Sequence, residues 1–145
     1  MIFLRDPSPY HGGKNKRPFF EGWYHKLVTS DGQSLAIIPG IYRSGFNNNQ
    51  TAFIMIFDGD KGNVFYEKFE VQQFSCSISS YSLHIGSNYF SSEKIILDIE
   101  SDTLTIKGQV TADNLKPWPV TLFEPGCMGW YAYVPTMECF HGILS

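Results

Sequence analysis

"FFEGWYHKLVTSDGQSLAIIPGIY", residues Phe19 to Tyr42, decides the fold. An aromatic-rich run ends at Val28. It is followed by "TSDGQ", whose Asp31-Gly32 pair is a hairpin turn signal, and then by a β-rich run from Ser34. Read as a strand, residues 19 to 28 alternate with period two. Phe19, Glu21, Trp23, His25 and Leu27 then share one face, and Phe20, Gly22, Tyr24, Lys26 and Val28 share the other. Glu21 and Trp23 become neighbours on their face. Glu21 and His25, four residues apart at ~3.3 Å each, are too distant to touch.

The same rhythm continues outward. After the polar stretch "RSGFNNNQ", "TAFIMIFDG" reads as a mostly buried strand ending at Asp58-Gly59. In "NVFYEKFEVQQF" the expected faces are Phe65, Glu67 and Phe69 on one side and Tyr66, Lys68 and Glu70 on the other. "CSISSYSLHIG", "IILDIE" and "LTIKGQVT" follow at roughly ten-residue spacing, with Ile95, Leu97 and Ile99 in one parity and Leu104 and Ile106 in another. "ADNLKPWPV" breaks the ladder, because proline has no N–H to donate. No stretch sustains a 3.6-residue period, so no helix longer than about three turns is expected. The reading is all-β, an antiparallel barrel or sandwich. Residues 1 to 18, with three prolines, Gly12-Gly13 and the basic cluster "KNKR", read as an irregular arm before a β unit over 19 to 145. The apolar run "MECFHGILS" needs a partner strand from this chain, from another subunit in a homo-oligomer, or from a missing C-terminal half; the barrel is therefore expected to be incomplete.

A chain of 145 residues fits one domain. Phe (12), Tyr (8) and Trp (3) are abundant, whereas charged residues reach 17%, against the usual ~25%. This aromatic surplus must be housed in a core, a ligand cavity or an interface. The formal charge of −3 offers no field to draw in a polyanion, so nucleic acid is excluded as a partner. The apolar run at the start, "MIFLRDPSPYHGG", is too short for a signal peptide, and no segment approaches the about 18 continuous apolar residues of a membrane span; a soluble, cytoplasmic chain is expected. Cys76, Cys127 and Cys139 lack the paired spacings of a zinc site and read as free thiols. HExxH, GxSxG, GxGxxG and P-loop motifs are missing, so no metal or cofactor is expected.

Chemistry concentrates at two Gly-Trp-Tyr segments. A carboxylic acid walled by aromatics, as Glu21 beside Trp23, can stay protonated and act as a general acid while ring faces stabilise a developing cation. The alternative is a Glu21 hydrogen-bonded to Arg17 or to backbone groups, with Trp23 as core. In "PGCMGWYAYVPTMECFHG", Trp130 and Tyr131 have opposite parity, and Glu138 and His141 would face opposite sides of a regular strand, so pairing them requires a bulge.

"RPFFEGWYHKLV", the Phe90 to Val110 region, "WP" at Trp118 and "PGCMGWYAYVPTMECFHGILS" together resemble the N-terminal half of the tocopherol cyclase-like family. The resemblance implies a lipocalin-like antiparallel β architecture around an apolar cavity. Its plant members close the chromanol ring of vitamin E by protonating a prenyl double bond of a hydroquinone. The family continues well past the His-Gly motif, with a Gly-Tyr-rich segment that this chain lacks, and many relatives carry an aromatic residue where this chain has His25. On this reading Glu21 or Glu138 is the acid. Trp23 and Trp130 are walls, and Tyr24, Tyr131 and His141 contact an apolar or prenylated small molecule. Two other functions compete with the cyclase: a carrier for an apolar ligand or lipid, and a structural β domain filled by its own side chains.

Overall fold

A computed structural model describes residues 10–12, 18–44, 49–117, 123 and 142–143. Ten strands form two five-stranded antiparallel sheets. The first contains β1 (Phe19–Gly22), β2 (His25–Val28), β3 (Ser34–Arg43), β4 (Gln50–Asp58) and β5 (Asn63–Glu70). The second contains β6 (Phe74–Cys76), β7 (Ser82–Ile85), β8 (Asn88–Ser91), β9 (Lys94–Glu100) and β10 (Thr105–Thr111). Among the described residues the sheets do not close into a barrel and there is no α-helix; a 3-10 turn at Val71–Gln73 marks where the chain passes between sheets. Among the described residues no helix is long and apolar enough to cross a membrane.

β1 and β2 are one strand interrupted once. Phe19 pairs with Arg43 and Gly22 with Gly40, then His25 with Ile37 and Val28 with Ser34, so the register is unbroken across Trp23 and Tyr24. The ladder fails between them because Trp23 lies opposite Pro39. The Trp23 N–H donates to the Pro39 carbonyl (3.0 Å), but proline cannot return the bond. Side chains along residues 19 to 28 alternate strictly between half-buried and exposed, as period two requires. The Asp31-Gly32 signal produces the β2–β3 hairpin. Gly32 N–H donates to the Thr29 carbonyl (3.0 Å), and a φ of +89° at Gly32 supplies the left-handed residue of this turn.

One core lies between the sheets. Ile37, Ala52, Ile54 and Ile56 of the first sheet meet Leu83, Ile85, Phe90, Ile95, Leu97 and Ile99 of the second. Alternate β5 residues touch different turns of the second sheet. Glu67 Oε1 accepts hydrogen bonds from Ser101 and Thr103 in the β9–β10 turn (2.9 and 3.0 Å), while Phe69 lies against Gly86 in the β7–β8 turn. β5 therefore lies along the end of the second sheet that carries its β7–β8 and β9–β10 turns.

Asn88 is the buried polar residue of this core. Its Nδ2 donates to the Ile85 carbonyl and its Oδ1 accepts the Asp98 N–H, both at 2.9 Å, so the side chain continues the β8–β9 ladder past its last backbone pair. Asn88→Ala leaves both backbone groups without their partner and is expected to cost about 1–3 kcal/mol, measured by urea denaturation. An unchanged midpoint would show that the two groups find other partners.

The run from Glu138 to Leu144, expected to be paired, falls mostly outside the described residues. Within it, Gly142–Ile143 forms β12 and pairs antiparallel with β11 (Lys116–Pro117), an earlier segment of this chain.

Candidate functional site

The inward face of β1 and β2 brings two ionisable side chains, Glu21 and His25, to the interior. Glu21 points inward with its side chain 14% exposed, on the same face as Trp23 and His25. Tyr24 is 64% exposed and belongs to the opposite, outer face, apart from Glu21 and Trp23. Glu138, Trp130, Tyr131 and His141 lie outside the described residues, as does Arg17.

The expected arm docks at residues 10–12. Tyr10 N–H donates to the Ser77 carbonyl just past β6 (3.1 Å), and its ring meets Phe19 and Phe74 edge to face, with centroids 6.1 and 5.4 Å away. The arm thus spans from the edge strand of one sheet to that of the other. His11 follows and supplies Glu21 with donors: its backbone N–H lies 3.2 Å from Oε2, and its Nδ1 lies 3.2 Å from Oε1. Arg43 Nη1 donates to the Gly12 carbonyl (2.6 Å), and its guanidinium sits 6.0 Å from the centroid of the Tyr10 ring. The Tyr10 hydroxyl is buried and finds no hydrogen-bond partner among the described residues. Burial raises its pKa against the opposing Arg43 charge, with a smaller push upward from Glu21, so it remains a donor.

Behind Glu21 the interior is aromatic. Trp23 stacks on Tyr81 (5.7 Å), and His25 stacks on both Tyr81 (5.6 Å) and Phe90 (5.9 Å). His25 Nε2 also hydrogen-bonds the Tyr81 hydroxyl, tying β2 to the β6–β7 connection. Burial lowers the His25 pKa to about 4 and raises that of Tyr81, so at neutral pH the pair is an uncharged imidazole and an uncharged phenol. The Cys76 thiol is pushed up to about 12, first by burial and then by the Glu21 charge. It is therefore a protonated, unreactive thiol at neutral pH, not a nucleophile. Among the described residues no three His, Cys, Asp or Glu side chains come together as a metal site.

Strand parity foretold that Glu21 and Trp23 share one face and that Glu21 and His25 do not touch; the structure turns that face inward. Parity missed the partners. Tyr10, His11, Cys76 and Tyr81 come from segments ten or more residues away or across the sandwich, and no local pattern marks them. The one available signal is a histidine in an otherwise aromatic strand: buried imidazole needs a hydrogen-bond partner, and Tyr81 is that partner. No protein-family model matches the chain, and neither a curated protein nor a solved structure matches it.

Proposed function

We propose that this chain binds a prenylated hydroquinone or a closely similar apolar phenol, and that Glu21 acts as the acid that starts chromanol ring closure. The observation that carries this reading is the inward, largely buried Glu21 carboxyl beside Trp23 at the edge of an aromatic interior. In the proposed step Glu21 first takes up a proton from solvent, then adds it to the prenyl double bond, and a tertiary cation forms. The phenolic oxygen closes on that cation and returns its proton to the carboxylate, so the acid is regenerated and nothing is oxidised or reduced. The Trp23 ring lies beside the acid, where its π face can stabilise the cation. The buried Tyr10 hydroxyl has no hydrogen-bond partner among the described residues and is suited to donate to the phenolic oxygen.

A second reading, a non-catalytic carrier, is favoured by a different observation. His11 already meets both carboxylate oxygens of Glu21, the arrangement of a fixed polar anchor, and a carrier needs only one such anchor beside apolar walls. The test is incubation of the protein with prenylated hydroquinones of varied chain length, with product chromatography and equilibrium dialysis in parallel. Chromanol product supports the cyclase. Tight binding without product replaces it with the carrier, and neither binding nor product leaves a β domain whose interior is filled by its own rings.

A further inference from the structure

The outer face of the first sheet is unlike the solvent face of an ordinary antiparallel sheet, which commonly alternates to polar residues. Its outward positions include Phe20, Tyr24, Val28, Tyr42, Val64 and Tyr66, all exposed; Phe20 is 64% and Tyr66 46% exposed. Across its middle runs a ridge of near-parallel rings. Phe53 stacks on Phe20 (5.9 Å, 14°) on one side and on Tyr66 (5.4 Å, 19°) on the other. Phe53 pairs with Gly40 in the β3–β4 ladder, and a Cβ on Gly40 would run into the Phe53 ring and come within 2.8 Å of the Glu21 carbonyl oxygen. Glycine at position 40 is therefore what lets Phe53 lie down between its neighbours, 2% exposed, on a face that otherwise meets water.

We infer that this face is the contact between two copies of the chain. Four rings of ~150–250 Å² each, about half exposed, together with the two valines, present on the order of 600 Å² of apolar surface. That is the upper limit of the largest patch on a typical monomer and approaches the ~800 Å² that each partner buries in a stable interface. Charge is distributed as an interface requires. Outward positions on the central strands β3 and β4 carry no charged residue, while Lys26 on β2 and Lys68 and Glu70 on β5 lie on the edge strands among the exposed aromatics and valines, so charge is confined to the rim of the face. Both signs on that rim suit a second copy of the same face rather than a uniformly anionic surface.

Light scattering after size exclusion, from about 1 to 100 µM chain, tests the assignment, with Tyr24→Glu and Tyr66→Glu as face variants and Ile78→Glu as the control. Ile78 is 76% exposed in the β6–β7 connection, away from this face. A dimer is expected for the wild type and for Ile78→Glu. Each face variant buries an unpaired charge and should raise the dimer dissociation constant on the order of 100-fold or more. Far-UV spectra and thermal melts establish that the variants are folded; Val64→Glu, at the start of edge strand β5, stands in for any variant that is not. A wild type that stays monomeric, whether or not it binds lipid vesicles, overturns the inference, as does a dimer indifferent to charge at Tyr24, Val64 and Tyr66.

Discussion

Glu21→Gln is expected to lower the rate of chromanol formation by ~10²–10⁴-fold, the usual contribution of a general acid. Glutamine keeps the shape of the side chain and still accepts the His11 N–H through its amide oxygen, but it has no proton to give to a double bond. The loss should therefore appear in single-turnover rates while dialysis shows ligand affinity changed little. Glu138→Gln is the paired measurement, since Glu138 is the other acid of the sequence reading. A collapse in Glu138→Gln with Glu21→Gln at full rate moves the proton to Glu138, and full rates in both variants remove the two residues from the chemistry.

Acidification from pH 7 to pH 4 is expected to remove about 3 kcal/mol of folding stability through His25 alone. Burial holds the folded-state pKa down at about 4, whereas the unfolded chain takes up its proton near 6.5. Between those values the unfolded state binds more protons, so stability falls as pH falls. Below about 4 both states are protonated and the effect ends. Urea denaturation of the wild type and His25→Phe at pH 7 and pH 4 isolates this contribution, because the carboxylates titrate alike in both proteins. Phenylalanine preserves stacking on Tyr81 and Phe90, and the lost Tyr81 hydrogen bond is a constant offset at both pH values. The variant should show the shallower pH dependence. Equal slopes would mean that His25 is solvated in the folded protein.

The strands that could be read from sequence are those with a buried face set by parity. Ile95, Leu97 and Ile99 are buried as their spacing predicts, and Phe65, Glu67 and Phe69 turn inward while Tyr66, Lys68 and Glu70 face out. Two things resisted reading because they depend on pairing between distant segments. "NVFYEKFEVQQF" looks like one continuous strand, yet the chain changes sheets at Val71–Gln73, where Phe69 and the following turn meet the β7–β8 connection. Pro39 sits within a β-rich run whose local preference hides the effect of its missing N–H, which appears only when Trp23 is placed opposite it. For the site, alternation placed Glu21 on one face with Trp23 and His25, but its donors come from an arm whose prolines and glycines give no periodic signal.

The strand order has a consequence for how the molecule assembles in time. Within each of the two five-stranded sheets every ladder joins segments that follow one another along the chain, so each hairpin can close without waiting for a distant partner, and loop-closure entropy is small at every step. The arm at Tyr10 and His11 is the exception. Tyr10 bonds to Ser77 and packs on Phe74, while His11 reaches Glu21, so this corner needs both meanders in place. Residues near the start of the chain are thus among the last to find their place, and the surroundings of Glu21 become complete only when the two sheets have already met.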